Sequence, residues 1–386
     1  MSRKISKAFV IFILIIVLVL ITIFGFVTGF DFVRAQNQRL TAIKLRFEEY
    51  GGSPITPDTP NAVEVKIPRA SDVDDIAEIL KEEGLIGNTM MYKLLSKFNG
   101  FNDKYAAGTH YLLPDMSYDE IMFALSHRPP PITITFPEGM TYTQIKQKLK
   151  DEGLTFDEAY MDSLVRRPNA FIDYPFVRDI NVHENREWVL QGYLWPDTYQ
   201  FDSTMTEEQI LRVFLNNTKN KLAETEGYAE RAAQKGLTMD QVITLASIIQ
   251  AEGTIKDMNK IGKVFLNRIE QGVMLESCAT INYLRLENGE KPVFWVQQAD
   301  LDRFRENPYN TYANDGLPPG PINNPGTVAI EAVLWPATER TWPGADSYLY
   351  FASDGKGNNV FASTLEEHQE NVNYYRSLEN KPNDNN

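Results

Sequence analysis

The chain has 386 residues, 43% of them hydrophobic and 23% charged, enough for two or three compact units with real cores. Its formal charge of −14 and pI near 4.9 oppose attraction to phosphate polymers, and no basic stripe interleaves with aromatics, so nucleic acid is not expected as a partner. One cysteine, Cys278, excludes an internal disulfide, and His110, His127, His183 and His368 show no metal-ligand spacing with it; neither a metal nor a cofactor is expected.

After MSRKISK come 23 residues, Ala8 to Phe30, without a charge. As a helix they extend about 34 Å, against a bilayer core of roughly 30 Å. A signal peptide has a shorter apolar region and a small-residue cleavage site, so this stretch is expected to be a single-pass transmembrane helix. Arg3, Lys4 and Lys7 precede it, and the positive-inside bias keeps residues 1–7 as a cytoplasmic tail. The rest of the chain is then extracytoplasmic, anchored to the cytoplasmic (inner) membrane.

Residues 31–61 are expected as a linker, with GGSPITPDTPN at its end. An internal repeat follows. VEVKIPRASDVDDIAEILKEEGL (63–85) recurs without a gap as ITITFPEGMTYTQIKQKLKDEGL (132–154). In each copy three alternating apolar residues predict a half-buried strand, and Ile76 with Leu80, or Ile145 with Leu149, predicts a helix ending at Gly84 or Gly153. Residues 62–128 resemble LysM-like modules, small α/β units that often dock on cell-wall glycans; a spacer role fits the same residues equally. A second strand-helix module and junction is expected over 129–202. Its segment QGYLWPDTYQF (191–201) offers Tyr193, Trp195 and Tyr199 either to stack on sugar faces or to pack a core.

Residues 203–376 form the remaining domain, before a disordered tail at 377–386. Thr238 and Gln241 have the form of a capping box, which predicts a helix from Met239 to Gly253. At 100° per residue, Val242, Leu245, Ile248 and Ile249 lie within about 80° of Glu252, while Asp240, Thr244, Ser247 and Ala251 fall on the other side. Glu252 therefore sits in the apolar stripe, where its charged form is disfavoured and its pKa should rise toward that of a general acid. An acid at a frayed helix end, paired with Lys256 or Arg268, is the bland alternative. The Pro- and Asn-rich loop at 307–326 should shape a cleft or serve only as structure, and 347–361 reads as a hairpin around a DGKGNN turn.

Four runs, TLASIIQAEG, IGKVFLNRIEQGVMLESCATINY, NPYNTYANDGLPPGPINNPG and SYLYFASDGKGNNVFASTLEEHQENV, together resemble the MltG family of endolytic murein transglycosylases, also called YceG-like. The anchor, the LysM-like module and GYLWPDTY match that family too. The resemblance implies an α+β, membrane-anchored lyase with a C-terminal α+β catalytic domain. It would cleave the β-1,4 bond between N-acetylmuramic acid (MurNAc) and N-acetylglucosamine (GlcNAc) in nascent peptidoglycan, leaving 1,6-anhydro-MurNAc ends and terminating elongation. It implies Glu252 as the catalytic acid and base, nascent glycan strands as substrate, and peptidoglycan synthases as candidate partners. Thr280 and Tyr283 match the family pattern and, with Tyr309, Asn310, Thr311 and Tyr312, are the substrate-binding candidates.

The chain departs from that pattern in places. Gln250 replaces the first Glu of the family's motif, Cys278 and Ala279 stand where a Ser/Thr-Asp-Pro turn is usual, and Asn359 and Val360 stand where a His followed by Thr or a similar residue is common. These departures leave open a non-catalytic scaffold with a degenerate site. A hydrolase would instead need a second carboxylate, such as Asp197 or Glu276.

Overall fold

The computed structural model describes residues 7–50, 53–129, 131–202, 204–224, 227–353 and 358–379. Arg3 and Lys4, residues 354–357 of the expected turn, and 380–386 of the expected tail lie outside the described residues, while 377–379 of that tail are helical and not disordered. The fold is a helix-rich α+β arrangement with three separate two-stranded antiparallel sheets among the described residues.

The first helix, α1 (Lys7–Tyr50), contains Phe12–Asp31, long and apolar enough to cross a membrane and not buried by any part of the protein. It does not stop at the apolar boundary. Residues 31–50 hold no glycine or proline, and α1 runs through them, taking in the first part of the stretch expected as linker.

The described residues form two units, one reaching Pro131 and including Asp202–Thr204, the other beginning at Ile132. In the first, β1 (Val63–Ile67) leads through the Asp72 to Asp75 capping box into α2 (Val73–Glu82), then α3 (Thr89–Asn99), β2 (Gly108–Leu112) and α4 (Tyr118–Leu125). β1 pairs with β2, Val63 opposite Leu112 and Ile67 opposite Gly108. Val65 and Ile67 turn inward onto Ile76, Leu80 and Tyr92. The second half of α1 joins this core: Phe47 is buried, its ring 5.3 Å from that of Phe123.

In the second unit the repeat is realised with the same spacing. β3 (Ile132–Thr135) leads through the Thr141 to Gln144 capping box into α5 (Tyr142–Asp151), and Ile145 and Leu149 are buried as Ile76 and Leu80 are. α6 (Glu158–Arg166) and α7 (Pro175–Arg178) follow before β4 (Thr198–Phe201) returns to pair with β3. Tyr193, Trp195 and Tyr199 are all buried, so they pack cores and do not face a sugar. Gly192 adopts φ +92° against Pro321, where a Cβ would stand 2.4 Å from Pro321 Cγ.

The rest of the unit comprises α8 (Glu207–Glu224), α9 (Tyr228–Gln234), α10 (Met239–Glu252), α11 (Met258–Glu270), α12 (Cys278–Glu287), α13 (Gln298–Arg303), α14 (Thr327–Leu334), the hairpin β5 (Tyr350–Ser353) with β6 (Asn359–Ala362), and α15 (Leu365–Glu379). α10, α11 and α14 pack together around a second core containing Leu245, Ile248, Ile261 and Ile330. Gly262 permits the α11–α14 approach, since a Cβ there would stand 2.5 Å from Ala332 O.

α10 differs from its sequence reading on one side. Asp240, Thr244 and Ser247, expected to face away from the core, are buried. Asp240 pairs with buried Arg186 at 2.8 Å and accepts from Tyr193 OH at 2.8 Å. Ser247 Oγ accepts from Ile322 N at 3.0 Å, and its carbonyl from Asn323 Nδ2 at 2.7 Å. The polar stripe is thus a second buried face, satisfied by hydrogen bonds instead of water.

Candidate active site

α10 begins at the expected capping box, Gln241 N donating to Thr238 Oγ1 at 3.2 Å, and ends on Glu252 with Gly253 as its C-cap. Ile248 and Ile249 are fully buried, which fixes the helix register and aims Glu252, itself half-buried, into a cleft.

The opposite lip is the turn into α12. Glu276 sits at φ +49°, a left-handed conformation that costs a non-glycine residue about 1–2 kcal/mol. Its N–H donates to Thr311 O at 3.0 Å, and its carboxylate pairs with Arg268. Arg268, buried on α11, also donates from Nε to Met274 O at 2.6 Å and from Nη1 to Leu349 O at 2.9 Å, tying this turn to the entry of β5. Ser277 follows as the N-cap of α12, its Oγ accepting from Ala279 N at 3.2 Å.

The turn meets Glu252 directly. Ser277 Oγ donates to Glu252 Oε1 at 2.5 Å, and Ala279 N donates to the same oxygen at 3.1 Å. Burial pushes the Glu252 carboxyl above the ordinary carboxylate range, and these two bonds partly oppose it. Beside it the Cys278 thiol, 3.1 Å from Tyr312 OH, is also pushed up, first by burial and then by the Glu252 charge.

The cleft has a volume of ≈ 580 Å³. Phe294 and Trp295 form part of its wall, Tyr350 of β5 another, and His368 and Arg376 of α15 a third. Among the described residues its lining holds two acids, Glu252 and Glu276. Asp197 is outside it, exposed, and accepts from Asn217 Nδ2 at 3.0 Å. Among the described residues no group of three or more His, Cys, Asp or Glu is placed to hold a metal ion.

Of the six substrate-binding candidates, Tyr312 lines the cleft; Thr280, Tyr283, Tyr309, Asn310 and Thr311 do not and are buried. The polar side chains of Thr280, Asn310 and Thr311 serve the scaffold. Thr311 Oγ1 accepts from Ser277 N at 3.0 Å and lies 2.9 Å from Thr280 Oγ1. Asn310 donates to Phe304 O at 3.2 Å and accepts from Tyr312 N at 2.9 Å. Tyr283 and Tyr309 pack ring to ring at 5.1 Å. Sequence reasoning missed Ser277 as the partner of Glu252, although a serine one residue before a helical run is a legible cap. The Ala279 N–H has no side-chain signal at all.

The departures from the family pattern also have places. Gln250 Oε1 accepts from Gly326 N at 3.0 Å at the start of α14. Asn359 lines the cleft, its N–H donating to buried Asp257 at 3.1 Å.

The family model described as the YceG-like family matches residues 65–374. A protein of Bacillus subtilis (strain 168) named endolytic murein transglycosylase is 31% identical over 349 residues, 86% of this chain and 91% of its own. One of the same name from Streptococcus pneumoniae serotype 2 is 27% identical over 341 residues, 83% of this chain but 59% of its own. The crystal structure of a YceG-like protein from Listeria monocytogenes matches with a TM-score of 0.54 at 28% identity, covering 81% of this chain and 99% of that one.

Proposed function

Because this chain belongs to the YceG-like family, we propose that it is an endolytic murein transglycosylase, a lyase acting on peptidoglycan. It cuts the β-1,4 bond between MurNAc and GlcNAc within nascent strands and leaves 1,6-anhydro-MurNAc ends, which stops elongation. Glu252 supplies both the acid and the base.

The observation that carries this reading is the setting of Glu252: a carboxyl raised by burial, at the cleft surface, with the other acid among the described lining residues, Glu276, engaged by Arg268. A hydrolase needs a second carboxylate free to activate water or to attack. A lyase needs only one. The Glu252 carboxyl gives its proton to the glycosidic oxygen, the C1–O bond breaks, and GlcNAc leaves with a hydroxyl at C4. The C6 hydroxyl of the same MurNAc bonds to C1, and its proton returns to Glu252. The carboxyl is restored and no water is consumed.

The remaining parts fit a cell-surface enzyme. The apolar Phe12–Asp31 segment anchors the chain in the cytoplasmic membrane, with the N-terminus inside and the catalytic residues outside. The β1-α2-α3-β2 order, with its two-stranded antiparallel sheet, supports a LysM-like module over 62–128. Residues 129–202 form the second module and junction, and 203–376 the catalytic domain. Peptidoglycan synthases are the partners expected at the membrane surface.

Mass spectrometry of glycan treated with the purified protein tests the reaction class. Fragments lighter than hydrolytic ones by one water are the expected product. Reducing MurNAc ends would instead mean hydrolysis, and intact strands a scaffold.

A further inference from the structure

Both hydrogen bonds to Glu252 end on one oxygen. Ser277 Oγ reaches Oε1 at 2.5 Å and Ala279 N reaches the same atom at 3.1 Å. Ser277 Oγ is itself oriented, because the one Ala279 N–H is forked between it, as the cap of α12, and Oε1, which leaves the Ser277 hydrogen for the carboxyl. An oxygen that already accepts two donors is the poorer seat for a proton, so the acidic hydrogen belongs on the other one. Resting on the reading of Glu252 as acid and base, we infer that Ser277 and the Ala279 N–H are positioning groups: they hold Oε1 and make Oε2 the atom that gives up and recovers the proton.

The pair does a second thing. Burial alone favours the neutral carboxyl, which makes a good acid but a carboxylate too costly to form. Two donors, at the positive end of α12, favour the carboxylate and bring its formation within reach once the leaving oxygen has been protonated. The other titratable groups described around the site do not take this role. From the 309–312 loop and α12, Tyr312 and Cys278 are both pushed up by burial and stay neutral near pH 7. Arg268 of α11 is occupied by Glu276, and Asp257 lies under Asn359 and Lys260. Lys256 bonds Asn358, Tyr350 of β5 lies beneath Arg268, and His368 of α15 stacks on Tyr350 and is pushed down by burial. Arg376 of α15 lies over Trp295 at 4.6 Å.

The test reads the Glu252 titration twice. Infrared difference spectroscopy follows the carboxyl band that Glu252→Gln lacks, without substrate, and the pH profile of kcat/KM follows its alkaline limb. Ser277→Ala and Ala279→Pro each remove one donor to the charged form, so the pKa must rise, and both readings should move up by about one pH unit. Proline is tolerated in the first turn of a helix, so Ala279→Pro removes the N–H without breaking α12. Ser277→Thr and Ala279→Gly keep the donors and should leave both readings in place. Should either deletion fail to fold, the other carries the test alone. An unmoved or lowered titration in a folded deletion variant overturns the positioning role, even where Glu252→Gln is inactive. A Glu252→Gln protein as active as the parent overturns the reading beneath it instead.

Discussion

Glu252 has to be reluctant as an anion and still able to become one. Its folded-state pKa lies above the unfolded value of about 4.3, so the folded protein binds more protons in that window. Stability from this group is therefore lost as pH rises from the unfolded pKa to the folded one, and is level beyond. Glu252→Gln removes that slope while keeping an oxygen for Ser277 and Ala279. Urea denaturation at about pH 4 and about pH 8 should show the variant gaining on the parent as pH rises; an unchanged difference would mean that burial does not strain the carboxyl. Gln250→Glu makes the contrast. It can still accept from Gly326 N, so fold and rate should persist, but in a Glu252→Gln background it should restore no turnover, and recovered turnover would show that Gln250 faces the same chemistry. Glu252 was legible because helix register is fixed by period, whereas Ser277 and Ala279 reach it through a turn whose left-handed Glu276 nothing in the sequence announces. Asn310 and Thr311 looked like contact groups because they are polar loop residues. In the fold their polar atoms are spent on nearby backbone, the usual alternative for such side chains.

Elements with local signals came out as expected: the Thr238 capping box starts α10, and the repeat gives two strands followed by capped helices at the same spacing. What escaped was their surroundings. The polar side of α10 reads as solvent-facing by period alone, yet Arg186, Tyr193, Ile322 and Asn323 bury and satisfy it. Two substitutions test how elements hold the site. Thr311→Val leaves the buried Ser277 N–H without its acceptor, which should cost about 1–3 kcal/mol by denaturant titration and lower kcat, because Ser277 loses its support. A neutral result would mean that the Arg268 and Glu276 pair, with the Glu276 N–H bond to Thr311 O, holds the turn without the Thr311 hydroxyl. Gly262→Ala drives a Cβ into the backbone of α14 and should cost about 1–3 kcal/mol, read the same way; no loss would show that α11 and α14 can separate without strain.

At the scale of the whole molecule, reading 31–61 as a linker misses how the second half of α1 is used, because an apolar stretch marks a candidate membrane helix but not where its continuation packs. Leu40, Ile43 and Phe47 pack into or against the core of the first unit. A chain beginning at Arg34 should be soluble without detergent and melt as one whose first unit is intact. One beginning at Asn61 should lose about 3 kcal/mol or more in that unit from the missing Phe47 alone; equal melting of the two would contradict this packing. A periplasm-active reporter fused after Asn386 in a Gram-negative host should be active, and activity of a cytoplasmic reporter there would reverse the orientation. The central claim is most directly met by one comparison: purified parent and Glu252→Gln, both shown to be folded by circular dichroism, each given nascent glycan, with anhydromuramyl ends counted by mass spectrometry. The expected result is anhydro ends from the parent and none above background from Glu252→Gln; release by the variant at a rate near the parent's would contradict the assignment of Glu252 as acid and base.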